Sequence, residues 1–393
     1  MSMFSGDLLS QILNMFMWIF VLGFVFPKLV VYQMLVKLEQ STIKLEGMSK
    51  KAQQTVLGKI SKKPDGKLKE KINNFMEFFA ISPVDLDPYG IVKKFDHLVE
   101  QEKIRFKYFV DGISPGSNEE EKANIMMGLS GSMGLYQLTK IVRHFLELTK
   151  KTKSQYYAMM LQMQLPLIER IAESLVHGTE ALSNGWAIGD GIGPLVVANY
   201  VGDSKVIQTG EDDVIYKKKV DSRDVVLIKA KGPGGRTGNP GKILEKLSKK
   251  TKIAKIITID AAAKLEGEKT GSIAEGIGVA MGGIGVEKSY IEDVVVKEKI
   301  PIDSIIVKMS QEEAIMPMKL PILEATPKVL EILNETIART KEKGVVVVIG
   351  VGNTSGVGND GENIKKAEED IRKTQEKIKK REKEKKRKFK FPF

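Results

Sequence analysis

A chain of 393 residues with 42% hydrophobic and 28% charged residues can form a globular protein with more than one core, and its lack of cysteine excludes disulfides, thiolate metal sites and cysteine nucleophiles. The net charge is +12, of which the segment 365–393 contributes +8 through fourteen basic and six acidic residues. Because the remainder is nearly balanced, no specific nucleic-acid partner is expected.

A stretch of twenty uncharged residues, 8–27, lies between Asp7 and Lys28. An α-helix needs about this length to cross the hydrocarbon core of a bilayer. The alternative is a cleaved signal peptide, but the stretch lacks a positive n-region and a small-residue cleavage site. No basic residue precedes the stretch, whereas five lysines follow it: Lys28, Lys37, Lys44, Lys50 and Lys51. The positive-inside rule therefore predicts a single-pass protein of the cell membrane with its N-terminus outside and the bulk of the chain cytoplasmic.

The sequence pattern divides the chain into four segments. They are a membrane anchor with a juxtamembrane helix (1–48), a helical region (49–182), an α/β domain (183–362) and a charged helical tail (363–393). In the helical region, apolar residues recur at three- and four-residue spacing, and Pro166 is expected to end or kink a helix. A methionine-rich run there, 159–163, is interpreted as adaptable core. Breaks between helices are predicted at residues 63–66, 82–83 and 114–117.

After residue 184 the pattern changes to short runs of consecutive apolar, mostly β-branched residues. Such runs are typical of parallel strands that are buried on both faces. The four runs are 224–229, 255–259, 304–308 and 344–349, and helices are predicted at 241–250 and 326–343. The expected fold class is therefore α/β: an N-terminal transmembrane helix and a helical region, then a three-layer α/β sandwich with a mostly parallel sheet, like that of phosphorylases and hydrolases.

Two aspartates are candidates for chemistry. Asp190 lies in a Gly-rich turn ahead of Pro194, and Asp260 follows the run 255–259, at the sheet edge where α/β proteins bind ligands. For each, the alternative is a helix cap. If both share a partly desolvated cleft, one carboxyl keeps its proton and can act as an acid, while the other stays anionic and can act as a base. The pair could instead hold a divalent metal, but neither has a histidine nearby in sequence, so no cofactor is expected.

Two Gly-rich loops supply candidate substrate-binding residues. The loop 231–242 fails the Walker spacing, and its Arg236 is a candidate for binding a substrate carboxylate. The loop 350–359 follows the last predicted strand. The alternative for the loop 350–359 is a turn in which backbones approach closely, and nucleotide binding through the Gly-rich loops is a third interpretation. The candidates are Arg236, Thr237, Gly238 and Asn353.

Several short motifs occur in a familiar order between Gly189 and Pro317. They are Asp-Gly-Ile-Gly-Pro-Leu-Val-Val at 190–197, Pro-Gly-Gly-Arg-Thr-Gly at 233–238, Ile-Asp-Ala at 259–261 and Ile-Pro-Ile at 300–302. This order resembles the spore germination protease family and, more distantly, the hydrogenase maturation endopeptidases. The resemblance implies that Asp190 and Asp260 are the two functional acids of a peptidase-like domain.

The sequence departs from that family in two places. The Gly-x-Gly-Asn strand-turn that precedes the first acid in those proteases occurs here only near the C-terminus, at 349–353, as in a circularly permuted fold. The histidine that serves as a third metal ligand in the hydrogenase-processing branch has no counterpart after Asp260.

The whole order of segments also resembles an archaeal family of uncharacterised membrane proteins, which implies no activity. We predict a membrane-anchored, endopeptidase-like protein that acts on a cytoplasmic or membrane-adjacent polypeptide through Asp190 and Asp260. The alternative is a non-catalytic, membrane-tethered scaffold whose Gly-rich face binds a peptide or an anion. The expected partners are the membrane, through residues 8–27, and a polypeptide, and a homo-oligomer is left open.

Overall fold

The structure is a computed structural model that describes residues 5–84, 89–202, 204–282 and 285–389. Residues 1–4 of the predicted anchor and 390–393 of the predicted tail lie outside the described residues. The chain divides into two compact units, each made of two stretches of sequence. The first unit comprises Met1–Lys51 and Gly134–Glu173, and the second comprises Ala52–Met133 and Ser174–Phe393.

The first unit is helical. Helix α1 (Ser5–Phe20) continues through a π-helical turn (Val21–Val25) into α2 (Phe26–Ile60). Within the described ranges, this is the one helix long and apolar enough to cross a membrane, and its apolar stretch is not buried in the protein. Parts of α5 (Glu119–Thr152) and α6 (Gln155–Asn184) complete the unit.

Of the two outcomes expected at Pro166, an end or a kink, the helix does not end there. Helix α6 continues to Asn184, because the loss of one backbone hydrogen bond does not outweigh the packing of a long helix. The interpretation of the methionine run as core is wrong for Met159 and Met163, which are 53% and 71% exposed. Leu161 and Leu165, on the opposite side of the helix, are buried in their place.

The second unit begins with short and medium helices. Helix α3 (Gly66–Phe75) starts at Asp65, whose side chain accepts a hydrogen bond from the backbone of Leu68, and it is followed by α4 (Ile91–Ile113). Stacked rings of Phe75 and Phe109, with centroids 3.8 Å apart, join α3 to α4. The helix boundaries agree with the breaks predicted at 63–66, 82–83 and 114–117.

A seven-stranded sheet forms the centre of the second unit. Its strands are β1 (Lys205–Thr209), β2 (Asp213–Val220), β3 (Arg223–Ala230), β4 (Ile253–Ala263), β5 (Ile273–Ile277), β6 (Ile302–Met309) and β7 (Val345–Gly350), in the order β1-β2-β3-β7-β4-β6-β5. Strands β3, β7, β4 and β6 are mutually parallel, and the other pairings are antiparallel. The four apolar runs of the sequence are these four parallel strands, which confirms the predicted α/β class.

Helices cover both faces of the sheet. They are α7 (Ile192–Val201), α8 (Pro240–Ser248), α9 (Val286–Glu298), α10 (Gln311–Ile315), α11 (Leu320–Leu323), α12 (Thr326–Arg339) and α13 (Gly361–Phe389). Alternate residues of β3 point to opposite faces: Leu227 packs in the core with α7 and α12, whereas Ile228 packs in the core with α8 and α9. The sheet therefore lies between two helical layers.

Candidate active site at the carboxyl edge of the sheet

Asp260 lies at the point where strand β4 extends beyond the end of its parallel neighbour β7. Strand β7 ends at Gly350, which is paired with Ile259 of β4, and the chain then turns away after a hydrogen bond of 2.9 Å from the Val351 N–H to the Ile259 carbonyl. Asp260 is the next residue of β4, which continues to Ala263. Asp260 is therefore within a strand and does not cap a helix, and its side chain stands beside the gap that β7 leaves at the carboxyl edge.

Asp190 is brought to the same edge by the close packing of α7 on the strand ends. It lies in a single 3₁₀ turn, Gly189–Gly191, directly before that helix. A Cβ atom on Gly193 would be 2.2 Å from the Val351 carbonyl oxygen and 2.3 Å from that of Ile259, so only glycine allows this approach. The N-cap of α7 is Gly191, and the Asp190 side chain does not cap the helix. It points instead to the loop after β7.

The loop after β7 holds the Asp190 carboxylate. The Asn353 N–H donates to Oδ2 of Asp190 over 2.8 Å. Gly352 makes this geometry accessible, since its φ is +131° and a Cβ atom there would be 1.9 Å from the Asp190 carbonyl oxygen. The Asn353 side chain is buried, and its Oδ1 accepts from the Ser355 N–H. Asn353, predicted to bind substrate, is therefore a positioning residue for Asp190.

A cavity of about 540 Å³ opens at this edge, entirely within the second unit. Asp190, Asp260 and three of the predicted substrate-binding residues, Arg236, Thr237 and Gly238, line it together. Much of the remaining wall is apolar and comes from the helical region and from residues near α9: Val99, Phe106, Met126, Met127, Met281 and Val286. The structure thus brings the predicted acids and the loop after β3 into one site, and it adds a wall from α4 and α5.

Burial and mutual repulsion shift the titration of the two acids. Desolvation, reinforced by the charge of Asp190, raises the pKa of Asp260 from its ordinary 3.8 to about 8. Desolvation also raises the pKa of Asp190, and the hydrogen bond from the Asn353 N–H opposes that rise. Burial thus favours the protonated form of both carboxyl groups, and the Asp190 charge adds to the rise at Asp260.

Arg236 is already paired inside the protein. Its side chain is 9% exposed, and its guanidinium forms an ion pair of 2.6 Å with Glu120 of α5 and approaches Asp212 at 3.7 Å. The backbone N–H groups of Gly234 and Gly235 donate to Glu120 and Asn124 of the same helix. Arg236 therefore fastens the loop after β3 to α5, and its charge is neutralised before any substrate enters.

The end of that loop is held by a buried carboxylate. Asp213 accepts from the Asn239 N–H over 3.0 Å, and burial raises the pKa of Asp213 to about 6. Gly238 has a φ of +68°, and a Cβ atom there would be 2.1 Å from Oδ1 of Asp213. Gly238 is thus a close-approach glycine, whereas the exposed Thr237 lines the cavity.

Lys229 is a functional candidate that no motif of the sequence indicates. A lysine at the end of an apolar run is nevertheless a sign of a buried charge. Lys229 is fully buried in β3, where its Nζ donates to the Ala230 carbonyl over 2.8 Å and to Oδ1 of Asn359 over 2.9 Å. Desolvation lowers the pKa of Lys229 to about 7. Asn359 also exchanges two hydrogen bonds with the Gly232 backbone, so Lys229 helps to join the two Gly-rich loops.

The cavity is strongly acidic. Seven acidic side chains line it, against two basic ones, Lys103 and Arg236. Some are neutralised by partners, as Asp96 is by Lys242 at 2.6 Å, but Glu100 and Glu102 add negative charge. Within the part of the chain that the structure describes, no group of three or more His, Asp and Glu side chains is arranged to hold a metal ion.

Two family models match the chain, on either side of the end of α6. Residues 12–185 match a protein of unknown function (DUF1512) N-terminal domain, and residues 188–358 match a domain of unknown function (DUF1512) C-terminal. The comparison with curated proteins found no similar sequence.

Proposed function

We propose that this chain, which belongs to the DUF1512 family, is a membrane-anchored hydrolase of the endopeptidase type that cleaves a polypeptide through Asp190 and Asp260. One observation supports the proposal above the others. The two carboxyl groups line one cavity at the carboxyl edge of a parallel sheet, and burial and repulsion raise the pKa of Asp260 to about 8. Pairs of acids whose environments separate their pKa values are typical of acid–base catalysis.

The two acids would divide the hydrolysis of a peptide bond between them. Asp190, as the anion, takes a proton from a water molecule while the water oxygen attacks the carbonyl carbon. Asp260, as the neutral acid, donates its proton to the amide nitrogen as the C–N bond breaks. The products are a carboxylic acid and an amine, and transfer of one proton from Asp190 to Asp260 restores the starting state. No step of this scheme requires a third protein group.

The cavity wall favours a particular class of substrate. Its apolar side, which includes Phe106, Met126 and Met127, suits an apolar side chain, and its acidic side chains favour a neutral or basic segment of polypeptide. The same charges weigh against the alternative that the Gly-rich face binds an anion, since the Arg236 guanidinium is already paired with Glu120. They weigh equally against a nucleotide phosphate in this cavity.

The arrangement of β7 supports the resemblance to the spore germination protease and hydrogenase maturation endopeptidase fold. In that resemblance a Gly-x-Gly-Asn strand-turn adjoins the first acid, and here the turn lies at 349–353, far from Asp190 in sequence. In space β7 lies between β3 and β4, and Asn353 donates to Asp190. We therefore propose a circularly permuted hydrolase-like sandwich over residues 183–362.

The N-terminal helix supports a location at the membrane. Its apolar residues are exposed, including Trp18 at 59% and Phe20 at 58%, and lysines follow the stretch 8–27 while none precedes it. We propose that the helix crosses the cell membrane once, with the N-terminus outside and the catalytic domain in the cytoplasm. The substrate would then be a cytoplasmic or membrane-adjacent polypeptide.

The proposal predicts that Asp190→Asn and Asp260→Asn each abolish cleavage. Loss of a general acid or base costs about 100-fold or more in kcat, so the purified full chain should cut an unfolded, apolar and basic protein substrate while both variants do not. Asp224→Asn is the matched control, because Asp224 is a half-exposed carboxylate at the amino end of β3 that pairs with Lys217 of the neighbouring strand. Cleavage products are identified by mass spectrometry, with and without a chelator. Equal cleavage by wild type and both variants would refute the proposed chemistry.

The pH dependence of cleavage should be bell-shaped. Activity rises as Asp190 loses its proton and falls as Asp260 loses its own near pH 8, because the acid is then absent. The rate constant kcat/KM is measured with one peptide substrate between pH 4 and pH 10. A rate that stays constant from pH 7 to pH 10 would contradict the role of Asp260 as the acid.

A further inference from the structure

The turn between α5 and α6 has the composition of a membrane-interface segment. From Thr149 to Ile168 there is no acidic residue, while the last turn of α5 holds Lys150 and Lys151 and the connection to α6 holds Lys153. Aromatic and apolar side chains follow at helical spacing on an exposed face of α6: Tyr156 is 72% exposed, Met159 53% and Met163 71%. Lysines beside exposed aromatic and apolar side chains are what the headgroup region of a bilayer accommodates.

Ion pairs within the first unit show which part of α2 lies beside the α5–α6 turn. Arg143 of α5 pairs with Glu46 at 2.8 Å and Glu39 at 2.9 Å, and Lys150, two turns farther along α5, also pairs with Glu39. Helix α5 therefore runs antiparallel to α2, and its end points toward the N-terminal half of α2.

The contacts between α6 and α2 place the α5–α6 turn at the same level along α2. Lys44 of α2 pairs with Glu169 at 2.6 Å and with Glu173 at 3.3 Å. Gln155, the first residue of α6, precedes Glu169 by ~21 Å at a rise of ~1.5 Å per residue. The start of α6 thus lies level with the first turns of α2 after Lys28, where the apolar stretch 8–27 has just ended.

We propose that the α5–α6 hairpin tip, residues 150–159, lies on the cytoplasmic membrane surface beside the anchor and binds anionic lipid headgroups. Lys151 and Lys153 contact the headgroups, and Tyr156 and Met159, in the first turns of α6, face the boundary between headgroups and acyl chains. This inference rests on the proposed anchoring of the helix in a membrane, and it is independent of catalysis. It would give the protein a second, peripheral contact that holds the helical unit at a fixed orientation to the bilayer.

The absence of cysteine allows a direct test by single-cysteine labelling of the full chain in lipid nanodiscs. A fluorescent probe is attached at Met159→Cys in the tip and at Met17→Cys in the anchor. Ile141→Cys is the matched control, because Ile141 is equally exposed, at 55%, but lies ~16 Å from the end of α5 at the helical rise. Lipids brominated near the headgroup end of the acyl chain quench probes at that depth.

We expect the Met159 probe to lose about half of its emission in brominated discs that contain an anionic lipid, and the Ile141 probe to be unaffected. The double variant Lys151→Gln/Lys153→Gln should reduce quenching at Met159 to the level found in purely zwitterionic discs. If the Met17 probe is quenched and the Met159 probe is not, the anchor stands and the hairpin contact is refuted. A blue-shifted Met159 probe without lipid quenching would indicate a protein partner and refute the lipid contact. If neither probe is quenched, the anchor itself fails.

Discussion

Asp260→Asn is expected to make the folded protein more stable at pH 7, although it removes the proposed acid. The folded-state pKa of Asp260 is about 8, against an ordinary value of 3.8. Between these pH values the unfolded state has lost this proton and the folded state has kept it, so the free energy of unfolding falls as the pH rises. A neutral amide of the same shape removes this cost and still accepts from the Ala261 N–H through Oδ1.

The expected size of this effect is about 2–4 kcal/mol at pH 7, which corresponds to a rise in Tm of roughly 4–12 °C. Thermal unfolding of wild type and variant, followed by circular dichroism from pH 4 to pH 8, checks it. The difference should shrink to about 0.5 kcal/mol at pH 4, where the unfolded wild type also holds part of this proton. Asp224→Asn, the half-exposed control, should change the free energy of unfolding by no more than about 0.5 kcal/mol. A variant that is destabilised at pH 7 would mean that Asp260 is ionised in the folded protein.

The centre of the fold could be predicted from local sequence, whereas its edges could not. Each of the four parallel strands is a run of consecutive β-branched residues, because both of its faces are buried. Strand β2 has a mixed pattern, with Lys217, Lys218 and Lys219 in its second half, and β5 is a five-residue strand that contains Glu275 and Gly276. Such antiparallel strands near the sheet edge face solvent in part, so their sequences resemble loops. The central position of β7 depends on long-range pairing, which no local pattern encodes.

For the site, the residue types could be predicted and their partners could not. Asp190 and Asp260 were identifiable because Gly-rich turns and strand ends collect at one edge of a parallel sheet. The partner of Arg236 is Glu120, which lies 116 residues earlier in a helical region with no recognisable motif. The contribution of α4 and α5 to the cavity wall could not be predicted for the same reason, since these helices are also far from the α/β motifs in sequence. The sequence therefore indicated a substrate-binding arginine where the structure has an ion pair between Arg236 and Glu120.

Gly193→Ala is expected to disrupt the site, although alanine is the better helix former. In an unobstructed helix interior, Gly→Ala stabilises by about 1 kcal/mol, and this should hold for Gly134→Ala in α5, where a Cβ atom meets nothing within 4 Å. At Gly193 the added Cβ atom would be 2.2 Å and 2.3 Å from two backbone carbonyl oxygens, those of Val351 and Ile259. Neither oxygen can rotate away, so α7 must move off the strand ends, at a cost of about 2–4 kcal/mol.

The two glycine variants thus predict shifts of opposite sign, and urea unfolding measures both. The Gly193→Ala substitution should also change the pKa of Asp260. When α7 moves away, Asp190 moves with it and water enters the cavity, so the pKa of Asp260 falls toward its ordinary range. In the Gly193→Ala background, Asp260→Asn should then stabilise the protein by well under half of its effect in the wild type. Equal stabilisation in both backgrounds would show that the Asp260 environment does not depend on α7, and that the two acids are not held as a pair by this helix.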